Sequence, residues 1–365
     1  MTVEQLISFA RGAPSLDIID VEGLRAAAVR AFAADPAGVT AYGTSVGYLP
    51  LRQWIADKHG VSPDQVIVTN GSLQADAFLF NHLVQPGDDV VVEKPTYDRT
   101  LLSLQNLGAK VHQVTMEADG IAVDELQQLL EAGLRPKLAH IIPNYQNPAG
   151  VTLPLEKRRA LLALAVQYGF LIFEDDPYVD IRFRGEALPS MLSLDTDGVV
   201  VHASSFTKTV CPGVRVGYLV GPAALIDAIA KKATNLYISP GMVSEAIVHQ
   251  FCVSGDIDRS IATVSAALGE RARVLAEALR KHIPGATFTE PDGGYFLWVD
   301  FPADVDVDKL FAAAMKRGVA IVKGTDFLLD GGQNSARLAF SAVTVDQIEE
   351  GVRRLAEAIE AVKTT

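Results

Sequence analysis

The sequence predicts an α/β fold: a mixed, mostly parallel seven-stranded sheet with helices on both faces, joined to a smaller α+β domain. Three observations carry this expectation. From about residue 64, short apolar, β-branched runs alternate with longer stretches of helical periodicity, as they do where crossover helices join parallel strands. The connection from 203 to 216 holds Pro212 and Gly213 and no helical pattern, so the last two strands should be antiparallel. Beyond Pro284 short strands mix with amphipathic helices, which reads as a second unit.

In chain order, residues 7–10 read as a strand and 11–15 as a turn. Asp20 is placed to cap a helix running to about Ala34, with Leu24, Ala27, Ala28, Ala31 and Phe32 on one face. A glycine-broken loop from Tyr42 to Tyr48 leads to a helix opened by Pro50. The seven sheet strands are expected at 66–69, 89–93, 110–114, 138–143, 170–174, 199–203 and 216–220. Residues 223–283 read as helices without strands. Strands at 287–289, 295–301, 320–323 and 337–341, with helices at 306–317 and 345–362, complete the pattern.

A chain of 365 residues exceeds the usual single core. Its 49% hydrophobic and 21% charged residues suit an ordinary globular protein. A net charge of -12 excludes the basic footprint of a nucleic-acid binder. Cys211 and Cys252 are too few for a disulfide framework or a structural zinc site. No run of 18 apolar residues and no basic-then-apolar N-terminus occurs, so a cytoplasmic protein without a membrane partner is expected.

The polar residues with chemical potential follow the strand ends, where such sheets bind ligands. After 199–203 come Ser204, Ser205, Phe206, Thr207 and Lys208, then Arg215. A lysine here can condense with a carbonyl cofactor while hydroxyls and a guanidinium hold a phosphate, or it is a solvated surface lysine. Gly71, Ser72, Leu73 and Gln74 open a helix, giving an anion site or a plain Ser cap. Tyr97 can stack on a flat ring or pack on a helix. Asn147, in an Asn-Pro turn, can donate to a ring oxygen. Asp175, between Glu174 and Asp176 and followed by Tyr178, can pair with a protonated pyridine nitrogen, bind a metal, or cap a helix. Arg337 can grip a carboxylate with two nitrogens or form a surface ion pair. Asp304, Asp306 and Asp308 mimic a calcium loop, but position six is not glycine and position twelve is Met315, so a capped helix is expected.

Together Tyr42, Gly71-Ser72, Tyr97, Asn147 to Gly150, Asp175 with Tyr178, Ser205 to Lys208, Arg215 and Arg337 make the chain resemble the pyridoxal-phosphate aminotransferases of fold type I, class I/II. It is most similar to the subgroup of 2-aminoadipate and kynurenine aminotransferases, over nearly its whole length. The resemblance implies pyridoxal 5'-phosphate as cofactor and an amino group moved between an L-amino acid and a 2-oxo acid. It implies Lys208 as the Schiff-base lysine and proton shuttle. Asp175 would meet the ring nitrogen, Asn147 and Tyr178 the ring hydroxyl oxygen, and Tyr97 the ring face. Ser72, the Leu73 and Gln74 backbone, Ser205, Thr207 and Arg215 would hold the phosphate. Tyr42 would reach the phosphate of a neighbouring subunit in a homodimer with shared sites. Arg337, beside Asn147 and Gly12, would bind the substrate carboxylate. The expected division is 1–45 packing with the small domain, 46–283 as the cofactor-binding domain and 284–365 as the small domain.

Two departures stand out. Members of the family usually carry an N-terminal segment over the substrate, which this chain is expected to lack. Arg11 stands where glycine is common, which suggests a preference for acidic side chains. A lyase or decarboxylase on the same scaffold is the rival enzyme reading. A regulatory sensor is the rival of another class, disfavoured by the acidic charge and the missing DNA-binding module.

Overall fold

The computed structural model describes residues 6–363. The strands are β1 (Ile7–Ser8), β2 (Val66–Thr69), β3 (Asp89–Lys94), β4 (Lys110–Glu117), β5 (Gly120–Ile121), β6 (Leu138–Ile141), β7 (Leu171–Asp175), β8 (Val200–Ser205), β9 (Gly217–Val220), β10 (Thr287–Phe288), β11 (Phe296–Asp300), β12 (Val319–Ala320), β13 (Val322–Lys323) and β14 (Ser335–Ala339). The helices are α1 (Val21–Ala34), α2 (Pro36–Thr40), α3 (Leu49–His59), α4 (Ser72–Leu83), α5 (Asp98–Asn106), α6 (Val123–Glu131), α7 (Leu155–Tyr168), α8 (Met191–Leu194), α9 (Ala223–Tyr237), α10 (Met242–Val253), α11 (Asp256–His282), α12 (Val307–Lys316) and α13 (Val345–Lys363).

The central sheet runs β2-β9-β8-β7-β6-β3-β4-β5. All seven expected strands are in it, and β3 pairs in parallel with β4 and β6, β6 with β7, and β7 with β8. The expected antiparallel pair is β8 with β9. β9 also pairs antiparallel with β2. An eighth strand, β5, turns back on the end of β4; two residues are too few to leave a periodic signal. β2, β6 and β8 are buried along their whole length, as strands covered on both faces are, and their few polar residues, such as His140, His202 and Ser205, are buried with them.

The second sheet runs β10-β11-β14-β13, all antiparallel. The expected strand at 320–323 divides, because β12 leaves to pair in parallel with β1. The N-terminal segment divides as well. Ile7, Phe9 and Ile18 share a core with Phe296, Leu338 and Leu355, whereas Ala27, Ala31 and Val39 share one with Leu51 and Phe251. Helix α11, at 27 residues and about 40 Å long, bridges the two. Its Ile257 joins the second core, and Leu268, Leu275 and Leu279 join the first. Phe32 was expected on the buried face of α1, but it is 45% exposed, and Gly23, Ala27 and Ala31 form that face.

Helix starts follow their caps. Asp20 Oδ1 accepts from Gly23 N at 2.7 Å. Asp306 Oδ1 accepts from Asp308 N and Lys309 N, both at 3.0 Å, at the head of α12. This is the cap expected in place of a calcium loop. Asp306→Ala should therefore lower stability by about 1 kcal/mol in thermal melts. Adding calcium should leave the wild-type melting temperature unchanged.

Candidate active site

The carboxyl ends of the parallel strands meet at one edge of the central sheet, and strand register brings the site residues there. Gly217 lies opposite both Thr69 and Ser205, which sets Arg215 beside the turns that follow β2 and β8. A β-carbon on Gly217 would stand 2.5 Å from Ser72 N, and one on Gly71 would overlap the Arg215 guanidinium. Glycine at both positions, with φ +86° at Gly71, lets the head of α4 and the arginine come together. Arg215 itself takes a left-handed conformation, φ 50°, and its Nη2 donates to Asn70 O at 3.2 Å. Ser205 Oγ lies 2.8 Å from Thr207 Oγ1 and accepts from Thr207 N at 3.1 Å. Gln74 N already donates to Gly71 O at 3.1 Å, and its side chain accepts from Asn70 N. The Ser72 and Leu73 amides belong to the helix turn whose N–H groups lack intrahelical partners.

Lys208 follows β8 and turns inward. Its Nζ donates to Gly12 O at 2.8 Å and stands 5.4 Å from the Tyr178 ring and 5.0 Å from the Tyr295 ring. Burial of the amine, reinforced by Arg337 and Arg215 and opposed by Asp175, pulls its pKa down to about 8. Asp175 ends β7 in the buried interior, with His140 Nε2 3.4 Å from its Oδ2. Its Oδ1 is buried without a hydrogen-bond partner. Neighbouring side chains on a strand face opposite ways, so Glu174 and Asp176 serve elsewhere. Glu174 accepts from Met191 N, Leu192 N and His202, and Asp176 accepts from Asn144.

Arg337 lies within β14 and is 7% exposed. Nη1 donates to Asn147 Oδ1 and Nη2 to Ala10 O, both at 3.0 Å, and Nε has no partner. The guanidinium lies 4.3 Å from the Phe296 ring and 4.9 Å from the Phe327 ring. Gly12 is needed here, since a β-carbon would stand 2.6 Å from Phe296. Tyr97 heads α5, and burial, with Asp98, Asp76 and Asp175 nearby, raises its phenol to about 12. Burial likewise raises the Tyr178 phenol. Arg11 is exposed, and Tyr42 is 88% exposed. Neither side chain has a hydrogen bond or ring contact with the other candidates among the described residues.

The structure adds residues that single-sequence reasoning passed over. Asp76, four positions after Ser72 and on the same helix face, is buried with an unpartnered Oδ1. Buried Glu93 accepts from Ile142 N at 3.2 Å and Gln146 Nε2 at 3.0 Å. Gln146 also donates to Pro95 O and accepts from Ala149 N. This clamp fixes the loop that carries Asn147. The helical spacing of Asp76 was a usable signal. Glu93 gave none, since a strand-end glutamate is ordinarily exposed.

A withdrawn amine, an unpartnered buried carboxylate and a guanidinium at a helix head are groups that suit an aldehyde cofactor with an acidic tail. The donor set fits pyridoxal phosphate: an amine for the aldehyde, Asp175 Oδ1 for a cationic ring nitrogen, and Arg215 with the α4 head for the phosphate. Sequence comparison agrees, and the chain belongs to the family "Aminotransferase class I and II", whose model matches residues 4–355. It is 31% identical to aromatic-amino-acid aminotransferase 1 of Thermococcus litoralis, over 97% of this chain and 88% of that one. It is also 31% identical to 2-aminoadipate transaminase of Thermus thermophilus, over 97% and 90%. The crystal structure of the Thermus thermophilus alpha-aminoadipate aminotransferase complexed with N-(5'-phosphopyridoxyl)-L-leucine superposes with a TM-score of 0.94 at 29% identity, covering 98% of this chain and 93% of that one. The protein is a pyridoxal-phosphate-dependent aminotransferase of fold type I. No helix among the described residues is long and apolar enough to cross a membrane.

The Glu93 clamp has a pH signature. Burial raises its carboxyl from 4.5 to about 8. Between those values the folded chain holds a proton that the unfolded chain has released, so stability falls as pH rises. Urea titrations from pH 5 to 8 should show this fall. Glu93→Gln should make it shallower by up to one proton, about 1.4 kcal/mol per pH unit.

Proposed function

We propose that Lys208 holds the cofactor and moves the proton of transamination, and that Arg337 fixes the substrate beside it. The observation that carries this reading is the buried Lys208 amine, whose pKa its surroundings pull down to about 8, so that the neutral form is far more available near pH 7 to 8 than for a free lysine. A neutral amine can attack a carbonyl and take a proton from carbon, whereas an ammonium can do neither. Pyridoxal phosphate, when bound, supplies an aldehyde and a ring that absorbs the electrons of a broken Cα–H bond. Asp175 would hold the ring nitrogen protonated through the oxygen that now lacks a partner. Asn147 and Tyr178 would hold the ring hydroxyl oxygen, and Tyr97 would cover the ring face. Ser72, the Leu73 amide, Ser205, Thr207 and Arg215 would bind the phosphate, and the Gln74 amide would join them only on leaving Gly71 O.

Arg337 has its Nε free and two aromatic rings against its plane, so a carboxylate can be held in its plane by two charge-assisted bonds. With the carboxylate fixed there, the α-carbon would be presented to Lys208, whose amine feels the Arg337 charge. Arg11, exposed on the adjoining N-terminal segment, would meet an acidic side chain. Relatives named for aromatic and for aminoadipate substrates are in keeping with a site open to both apolar and acidic side chains.

The assembly we propose is a homodimer in which Tyr42 of the partner subunit completes the phosphate site. Support comes from one apolar face. Tyr237 Oη donates to Ser45 O at 2.8 Å, and Met242 packs on Gly43. This brings exposed Tyr42, Leu236, Ile238 and Val243 together. We take residues 46–283 as the cofactor-binding domain and 284–365 as the smaller one, in a cytoplasmic enzyme.

A half-reaction screen tests the activity. Amino acids are added singly to holoenzyme, and the visible absorbance of the lysine-linked cofactor is followed. A donor should bleach the band, and a 2-oxo acid should restore it; release of ammonia with pyruvate would instead indicate a lyase. Arg11→Ala should cut the preference for acidic over neutral donors by about tenfold. An unchanged ratio would remove Arg11 from the specificity site.

A further inference from the structure

Tyr295 belongs to the small sheet, immediately before β11, yet it touches the lysine of the large one. It is fully buried. Its hydroxyl donates to the Lys208 carbonyl at 2.9 Å, and the centre of its ring lies 5.0 Å from Lys208 Nζ. Its own carbonyl accepts from Phe340 N at 3.1 Å, just beyond the strand that carries Arg337. The next residue, Phe296, lies against the Arg337 guanidinium and edge-on to Tyr178, with ring centres 5.6 Å apart. The two consecutive aromatics thus reach two cations of the site, Lys208 and Arg337, one each.

We propose that Tyr295 is a positioning residue that fixes the Lys208 amine relative to the carboxylate-binding Arg337. The inference rests on the roles given above to those two side chains. The hydroxyl pins the lysine backbone to the small sheet, and the ring face lies toward the amine and favours positive charge there. Proton transfer to and from an α-carbon depends steeply on this spacing, because misplacement of about 1 Å can slow a reaction a hundredfold. Groups of either charge face the amine: Arg337 and Arg215 are positive, Asp175 is negative, and Tyr178 contributes a second ring.

The test uses holoenzyme with Tyr295→Phe, which keeps the ring and loses the hydroxyl, and Tyr295→Leu, which loses both. Cofactor content is measured by alkaline release. Substrate binding is measured with the α-methyl derivative of the best donor, which has no α-proton to lose. Both variants should keep full cofactor content. In Tyr295→Phe the saturating half-reaction rate should fall about tenfold, with analogue affinity within about twofold of wild type. In Tyr295→Leu the rate should fall further, and the pH midpoint of the visible band should move down as the favourable ring face is lost. The proposal is overturned by a Phe-variant rate within about twofold of wild type, by an unmoved midpoint in the Leu variant, or by a loss of affinity that matches the loss of rate. Failure of the underlying reading shows separately, as a wild-type holoenzyme with no visible band, and overturns both.

Discussion

A lysine amine withdrawn from water is the constraint on which the site depends. An ammonium at that depth is unfavourable unless charges or aromatic faces compensate it. Lys208 meets a backbone carbonyl, two tyrosine rings and the Asp175 charge, against two arginines. These partners come from every part of the chain. β8 delivers the lysine, β7 the carboxylate, the N-terminal segment the Gly12 carbonyl, and the second sheet Tyr295 and Arg337. The amine therefore sits at the seam between two sheets.

The same seam explains several glycines and buried polar groups. Gly12 lets the N-terminal segment cross Phe296, and Gly71 with Gly217 lets a helix head meet Arg215. Glu93 and Gln146 hold the loop that sets Asn147 against Arg337. Each is a close backbone approach or a fully buried hydrogen bond, and such features tolerate little displacement. The apolar face around Tyr42 and Leu236 stays exposed among the described residues.

The strands were legible because buried parallel strands need unbroken apolar, β-branched runs, and the caps because Asp20 and Asp306 stand just before helical periodicity. β5 was not legible, since two residues carry no period. The break between β12 and β13 turns on the single residue Ile321. Phe32 shows another limit: a helical stripe marks an apolar face but not whether this chain covers it. Lys208, Asp175, Arg215 and Arg337 stood out by residue type at strand ends. Tyr295, His140 and Glu93 did not, because their roles arise from contacts between segments far apart in sequence. Tyr42 was singled out by resemblance, and within one chain it remains apart from the rest.

The most direct test of the account is the chemical state of one side chain. Holoenzyme is reduced with borohydride, digested, and its peptides weighed. The account predicts the mass of a reduced phosphopyridoxyl group on the peptide containing Lys208, and none after Lys208→Ala. An unmodified Lys208 in cofactor-saturated protein, or the added mass on a different lysine, would contradict it.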